Sequence, residues 1–159
     1  MAFIQLPSPI GRIEIVSDGT AVTGLAIETA GRLPHDGQTS SSDAVLEQAA
    51  QELDAYFRGE RFEFDVPVSL TGTPFQQAVW ERIRLIPPGT AVTYGRIGID
   101  TGVGNVGRAI GGAVGANPVP IIVPCHRVLA ADGRITGYSG GEGIRTKAWL
   151  LDHEGVPHR

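Results

Sequence analysis

The chain changes its pattern near residue 70, and that change constrains the fold more than any other feature. Residues 1–28 hold three short runs, Phe3–Leu6, Arg12–Val16 and Ala21–Glu28, separated by Pro7-Ser8-Pro9 with Gly11 and by Ser17-Asp18-Gly19. Runs of this length bounded by turn residues predict strands joined by tight turns. A polar loop over residues 31–43 follows, then Leu46, Ala49, Ala50, Leu53 and Phe57 recur at helical spacing. Ser42 or Asp43 can cap that helix and Gly59 can end it. Phe62, Phe64, Val66 and Val68 alternate with polar residues, which predicts a strand, with Pro67 placing it at a sheet edge.

Beyond residue 72 the punctuation is that of short helices. Thr73-Pro74-Phe75-Gln76 is a capping-box start, and Phe75, Val79 and Ile83 share a face before Pro87-Pro88-Gly89 stops the helix. Thr93 precedes a short helix over residues 94–100, and Asn105 precedes another over residues 106–115. The reading is therefore an α+β chain. Residues 1–70 form an N-terminal α/β domain with a small, mainly antiparallel sheet. Residues 71–159 form a mainly helical domain with a helix-turn-helix of the winged kind.

Charge divides at the same place. Residues 1–71 carry four Lys/Arg against eleven Asp/Glu, whereas residues 72–159 carry nine against six. The formal net charge of −4 thus hides a basic half suited to an anionic partner. No apolar run approaches the roughly 18 residues of a membrane span, and the N-terminus lacks the charged and apolar segments of a secretory signal. One cysteine excludes an intramolecular disulfide, and a free thiol suits a reducing compartment, so a cytoplasmic location is expected.

The second short helix contains Gly107, Gly111, Gly112 and Gly115, each costing about 1 kcal/mol relative to alanine. Two readings account for this. The glycines either let helices pack closely or keep a surface smooth, and two short helices about a tight Thr101–Gly104 turn match a DNA-binding helix-turn-helix. Residues 102–107 also satisfy G-x-G-x-x-G. That dinucleotide motif needs a buried strand before it and an acid about 20 residues after it. The preceding segment is polar and glycine-broken, and no acid lies between Asp100 and Asp132, so nucleotide binding is disfavoured.

Cys125 stands between Pro124 and His126-Arg127, directly after an apolar run. A lone cysteine there is often an inert core residue. An adjacent imidazole and guanidinium are also what lower a thiol pKa and make a nucleophile. In an extended segment Cys125 and His126 would point to opposite faces, so proton transfer between them needs a bend or a bridging water. No Cys/His partner lies at zinc-ligand spacing, and no metal is expected.

Residues 117–128 (NPVPIIVPCHRV), with GYSGG over 137–141 and WLLDHEG over 149–155, resemble the O6-alkylguanine-DNA alkyltransferases. The likeness is strong over about residues 72–155 and general before that. It implies a repair protein that takes an alkyl group from guanine O6, and from thymine O4, onto its own cysteine, with no cofactor. It implies Cys125 as nucleophile, His126 as base acting through a water, Glu154 as the acid orienting His126, and Asn117 as a hinge. This would be a relay with the logic of a hydrolase triad. Tyr94 would approach the flipped base and its 3′ phosphate, and Pro120, Val128, Tyr138 and Ser139 would form the base pocket. Arg108 would fill the stack the base leaves, and Gly111 and Gly112 would belong to the smooth face against the minor groove.

The implied partner is double-stranded DNA carrying O6-alkylguanine, bound by a monomer away from any membrane, with cooperativity along DNA left open. Relatives commonly have Ala, Pro and Ala where this chain has Gly98, Gly104 and Gly107. Two other functions compete: a lesion-binding protein of the same fold, whose members lack the cysteine, and a cysteine hydrolase indifferent to DNA.

Overall fold

The computed structural model describes residues 1–104 and 107–159. The first three strands form an antiparallel sheet in sequence order: β1 (Ala2–Leu6), β2 (Ile13–Ser17) and β3 (Val22–Ile27). Helix α1 (Ala44–Phe57) packs on this sheet. Asp43, not Ser42, is its cap, with the carboxylate accepting the Leu46 amide at 2.8 Å. The buried face is Leu46, Ala49, Leu53 and Tyr56, while Ala50 and Phe57 are half-buried. The expected stripe is rotated by one position, and a residue with a hydroxyl occupies its end.

Residues 62–69 alternate as expected, with Phe62, Phe64, Val66 and Val68 turned inward, yet they do not form a strand. The cause is where their amides go. Glu52 of α1, itself buried, accepts both the Asp65 and Val66 N–H groups, at 2.9 and 3.1 Å. Pro67 has no N–H to give. Only one bridge, Val22 to Val68, remains alongside β3.

In the second half, α2 (Pro74–Arg84) starts at the expected capping box: Thr73 and Gln76 bond each other's amides at 3.1 and 3.0 Å. It buries Val79, Trp80 and Ile83 and leaves Phe75 partly covered. A two-residue strand, β4 (Val92–Thr93), leads into α3 (Tyr94–Asp100), whose first turn Thr93 caps. A turn then leads to α4 (Gly107–Gly115). The Asn105 cap lies outside the described residues. The G-x-G-x-x-G stretch therefore follows a helix instead of a strand, and the dinucleotide context is absent. Gly98 is demanded by a close approach, because a Cβ there would collide with the Gly104 carbonyl oxygen.

The glycines of α4 settle the choice between packing and surface. Among the described residues, a Cβ built at Gly107, Gly111, Gly112 or Gly115 meets nothing within 4 Å. They do not mediate close helix contact. The opposite face, Ile110, Ala113 and Val114, holds α4 to the core, and Trp80 donates its indole N–H to the Ala113 carbonyl at 2.8 Å. The remaining elements are a single 3₁₀ turn (Cys125–Arg127), β5 (Val128–Leu129), which pairs in parallel with β4, and α5 (Ile144–Glu154).

One main core cluster draws on both halves, from Ile13, Leu46 and Tyr56 to Val79, Ile110, Val123 and Leu150. Backbone bonds join them too, such as Leu25 N–H to the Pro118 carbonyl at 2.9 Å. Among the described residues no helix is long and apolar enough to cross a membrane.

Candidate active site

The loop before Cys125 is clamped by Asn117. Its side-chain oxygen accepts the Val119 amide at 3.0 Å and its NH₂ donates to the Val123 carbonyl at 2.8 Å. The clamp holds Ile121, buried and β-branched, at φ +73°. That backbone region costs such a residue on the order of 1–3 kcal/mol and persists only where neighbours enforce it. After Pro124 the chain tightens into the 3₁₀ turn, closed by Arg127 N–H to the Pro124 carbonyl at 3.0 Å. This is the bend that Cys125 and His126 require, since an extended segment would set them on opposite faces.

His126 is fully buried and its Nε2 lies 2.7 Å from Glu154 Oε2. Glu154 closes the last turn of α5, where Gly155 in the left-handed conformation ends the helix. Its carboxylate takes two further donors: Tyr56 OH donates to Oε2 at 2.7 Å, and Arg127 Nε donates to Oε1 at 2.7 Å. Burial alone would raise this carboxyl, but the bonds from His126, Arg127 and Tyr56 hold it down to about 2. Burial lowers the His126 pKa despite Glu154. At neutral pH the pair is thus a neutral imidazole donating Nε2–H to a carboxylate. His126 Nδ1 makes no hydrogen bond with any described residue, so its lone pair is free to take a proton.

Burial pushes the Cys125 thiol up, against opposing effects of the Asn117 side chain and the Lys147 charge. The expected lowering by Arg127 does not occur, because that guanidinium points away from the thiol. Besides Glu154 it bonds the Ile86 and Phe62 carbonyls, at 2.8 and 3.3 Å. The resting thiol is protonated.

Cys125 lies on the wall of a cavity of about 560 Å³, together with Tyr94, Gly111, Gly115, Tyr138 and Lys147. Ser139 also lines it, with its hydroxyl given to the Gly115 carbonyl at 2.8 Å. Gly112 and Arg108 are exposed on α4 outside that wall. Pro120 faces a neighbouring groove with Leu25, Arg32 and Asn117. Val128 is fully buried on β5, and its carbonyl accepts from Lys147 Nζ at 2.7 Å.

Two residues escaped the sequence reading. Lys147 is a buried ammonium bonded to the Val128 and Gly137 carbonyls, and burial pushes it down to about 8. It stands seven residues before Glu154, hence on the same face of α5, and that spacing was available as a signal. Tyr56 falls in register with Leu46, Ala49 and Leu53, and a tyrosine in a core stripe requires a partner for its hydroxyl. Nothing local names that partner, which lies 98 residues away.

This fold and site define a class: a protein with a buried free cysteine beside a His–Glu pair, on the wall of a cavity next to the open glycine face of a short helix. Comparison with known proteins narrows it. Residues 1–70 match the family model for the 6-O-methylguanine DNA methyltransferase ribonuclease-like domain, and residues 74–156 match its DNA binding domain. The methylated-DNA–protein-cysteine methyltransferase of Mycobacterium tuberculosis is 41% identical over 149 residues, covering 94% of this chain and 89% of that protein. The Haemophilus influenzae protein of the same name is 38% identical, covering 98% and 87%. The crystal structure of Mycobacterium tuberculosis OGT in complex with DNA superposes with a TM-score of 0.86 at 40% identity, covering 99% and 96%. The chain belongs to the 6-O-methylguanine DNA methyltransferase family.

Proposed function

We propose that this protein repairs DNA by moving the alkyl group of O6-alkylguanine onto Cys125, once per molecule. The observation that carries this is the buried Cys125 at the wall of a base-sized cavity, on the same 3₁₀ turn as His126 of the His126–Glu154 pair. A cavity of about 560 Å³ suits a purine. In the reaction the Cys125 Sγ–H proton passes, through a water, to His126 Nδ1. The sulfur attacks the alkyl carbon as the bond from that carbon to O6 breaks. Guanine leaves as an anion with the electron pair on O6 and becomes the ordinary base when the proton held by His126 is returned to it through water. Glu154 stabilises the transient imidazolium without itself taking the proton, as in hydrolase triads. The product is a thioether, which water does not readily cleave, so the protein is consumed. No cofactor enters this balance. O4-alkylthymine presents a similar O-alkyl group and falls within the same chemistry.

An O6 atom stacked in a duplex cannot reach a buried thiol, so the nucleotide must be extruded. We assign entry to the minor groove, with α4 against the DNA: its open glycine face allows close backbone approach, and exposed Arg108 can fill the stack. Asn117 fixes the acceptor loop, and Tyr94, Tyr138 and Ser139 line the cavity the base would enter. Pro120 and Val128 do not line that cavity, since Pro120 faces the neighbouring groove and Val128 is buried on β5. Residues 71–159 thus hold DNA and thiol, and residues 1–70 support them. The reading includes a monomer acting in the cytoplasm, where its free thiol stays reduced.

Titration of a duplex containing O6-methylguanine tests it. One lesion should disappear per protein molecule and no more. Repeated turnover would refute the acceptor role, and lesion binding with no loss of the alkyl group would mark a sensor instead.

A further inference from the structure

We infer that Tyr56, carried on α1 in the N-terminal half, is a positioning residue of the transfer reaction, acting through Glu154 on His126. The inference rests on the function proposed above. It also gives the N-terminal half a part in the chemistry.

The geometry is specific. Glu154 Oε2 receives two donors, Tyr56 OH and His126 Nε2–H, both at 2.7 Å, while Oε1 serves Arg127. Tyr56 is completely buried and is held to α5 at both ends. Its backbone carbonyl accepts from His153 Nε2 at 2.6 Å, and its hydroxyl reaches the next residue, Glu154. Phe57 and Phe62 meet its ring edge-on, with centroids 5.2 and 5.6 Å away, so the hydroxyl has little freedom to turn elsewhere. Burial first, then the Glu154 charge, raise the phenol far above its ordinary pKa, so it only donates.

A donor on Oε2 draws off the charge that would otherwise attract the His126 proton. Tyr56 therefore makes the carboxylate a weaker base. It keeps the shared proton on Nε2 without overstabilising the imidazolium, and so leaves Nδ1 unprotonated and ready. The other groups facing His126 set the background. Glu154 favours its protonation, whereas Arg127, on the same turn, and Lys147, on α5, oppose it. Cys125 and Tyr138 are neutral at pH 7, since burial raises both. From α2, packed against the same turn, the buried residues are Val79, Trp80 and Ile83, none charged.

The test measures the alkylation rate of Cys125 against pH with the free base O6-benzylguanine, alongside nitrogen-detected NMR titration of the His126 ring. Two full-length proteins are compared with wild type: Tyr56→Phe, and a protein with 3-fluorotyrosine installed at position 56. Removing the hydroxyl should move the acid limb and the His126 titration up by roughly one pH unit, the size expected for losing a hydrogen bond to a charged group. That is roughly a ten-fold slower reaction on the acid limb, with little change on the alkaline plateau. Fluorination makes the phenol a stronger donor at nearly constant shape and should move both readings down. Opposed shifts support the role. Titrations that stay put in both proteins, or move the same way, overturn it, whatever the melting temperatures do. If wild type is not alkylated at all, the proposed function fails, while the NMR titration still decides the coupling of Tyr56 to His126.

Discussion

Glu154→Gln is the sharpest perturbation of the relay, because it keeps shape and removes charge. The carboxylate accepts three buried donors, and an amide cannot accept all three: its NH₂ must face Tyr56, His126 or Arg127. Arg127, with its side chain 5% exposed, would keep only carbonyl partners for a full positive charge. Removing one partner of a buried ion pair costs about 3–5 kcal/mol. An independent route gives a similar size. The Glu154 carboxyl is held near 2 in the folded protein against an ordinary 4.5, a difference of about 3 kcal/mol. A lowered carboxyl pKa stabilises the fold fully above the unfolded value and loses that contribution as pH falls through the folded one. Wild type should therefore lose this share of its stability between about pH 4.5 and pH 2. Urea denaturation at pH 7 should find the variant less stable by about 3 kcal/mol or more, lowering Tm by about 6–20 °C for a chain of this length. Its stability should also fall less steeply with acid than that of wild type. Alkylation should slow as well, since His126 loses the anion that stabilises its protonated form. A loss below about 1 kcal/mol with the acid slope unchanged would refute the picture of a carboxylate neutralised by three buried donors.

Other expectations concern the helix-turn-helix. Gly112→Ala should raise stability, by up to about 1 kcal/mol in thermal melts, because its Cβ meets open space and alanine favours helix. Gly112→Glu should leave the melt near wild type yet weaken binding to lesion-containing duplex in fluorescence anisotropy; unchanged affinity would remove this face from the interface. Arg108→Ala should slow repair of duplex DNA while a free-base substrate still alkylates Cys125 at the wild-type rate. Equal loss on both substrates would make Arg108 a structural residue.

What the sequence makes legible follows the range of the forces involved. The three strands, the Thr73 capping box and the Thr93 cap depend on neighbours in the chain, and each stands where local pattern places it. Residues 62–69 show where local pattern stops. Their alternation is real, but whether they pair as a strand depends on Glu52, whose side chain claims two of their amides from another element. Arg127 illustrates the same limit. Adjacency to Cys125 suggests a cation beside the thiol, whereas the turn sends it to Glu154 and two backbone carbonyls. The need for a bend between Cys125 and His126 could be deduced from strand geometry, and the 3₁₀ turn meets it. Tyr56 could not be deduced, since its partner is set by how α1 crosses α5. The glycines of α4 were ambiguous in one dimension, because only the folded arrangement tells an open face from a packed one.

The central claim is that Cys125 is itself the alkyl acceptor. Intact-mass analysis after incubation with excess O6-methylguanine duplex, followed by peptide mapping, tests it directly. The protein should gain a single methylene, located on Cys125, and Cys125→Ser should gain none. A protein that remains unmodified while the lesion persists, or a methyl group found on any other residue, would contradict the account.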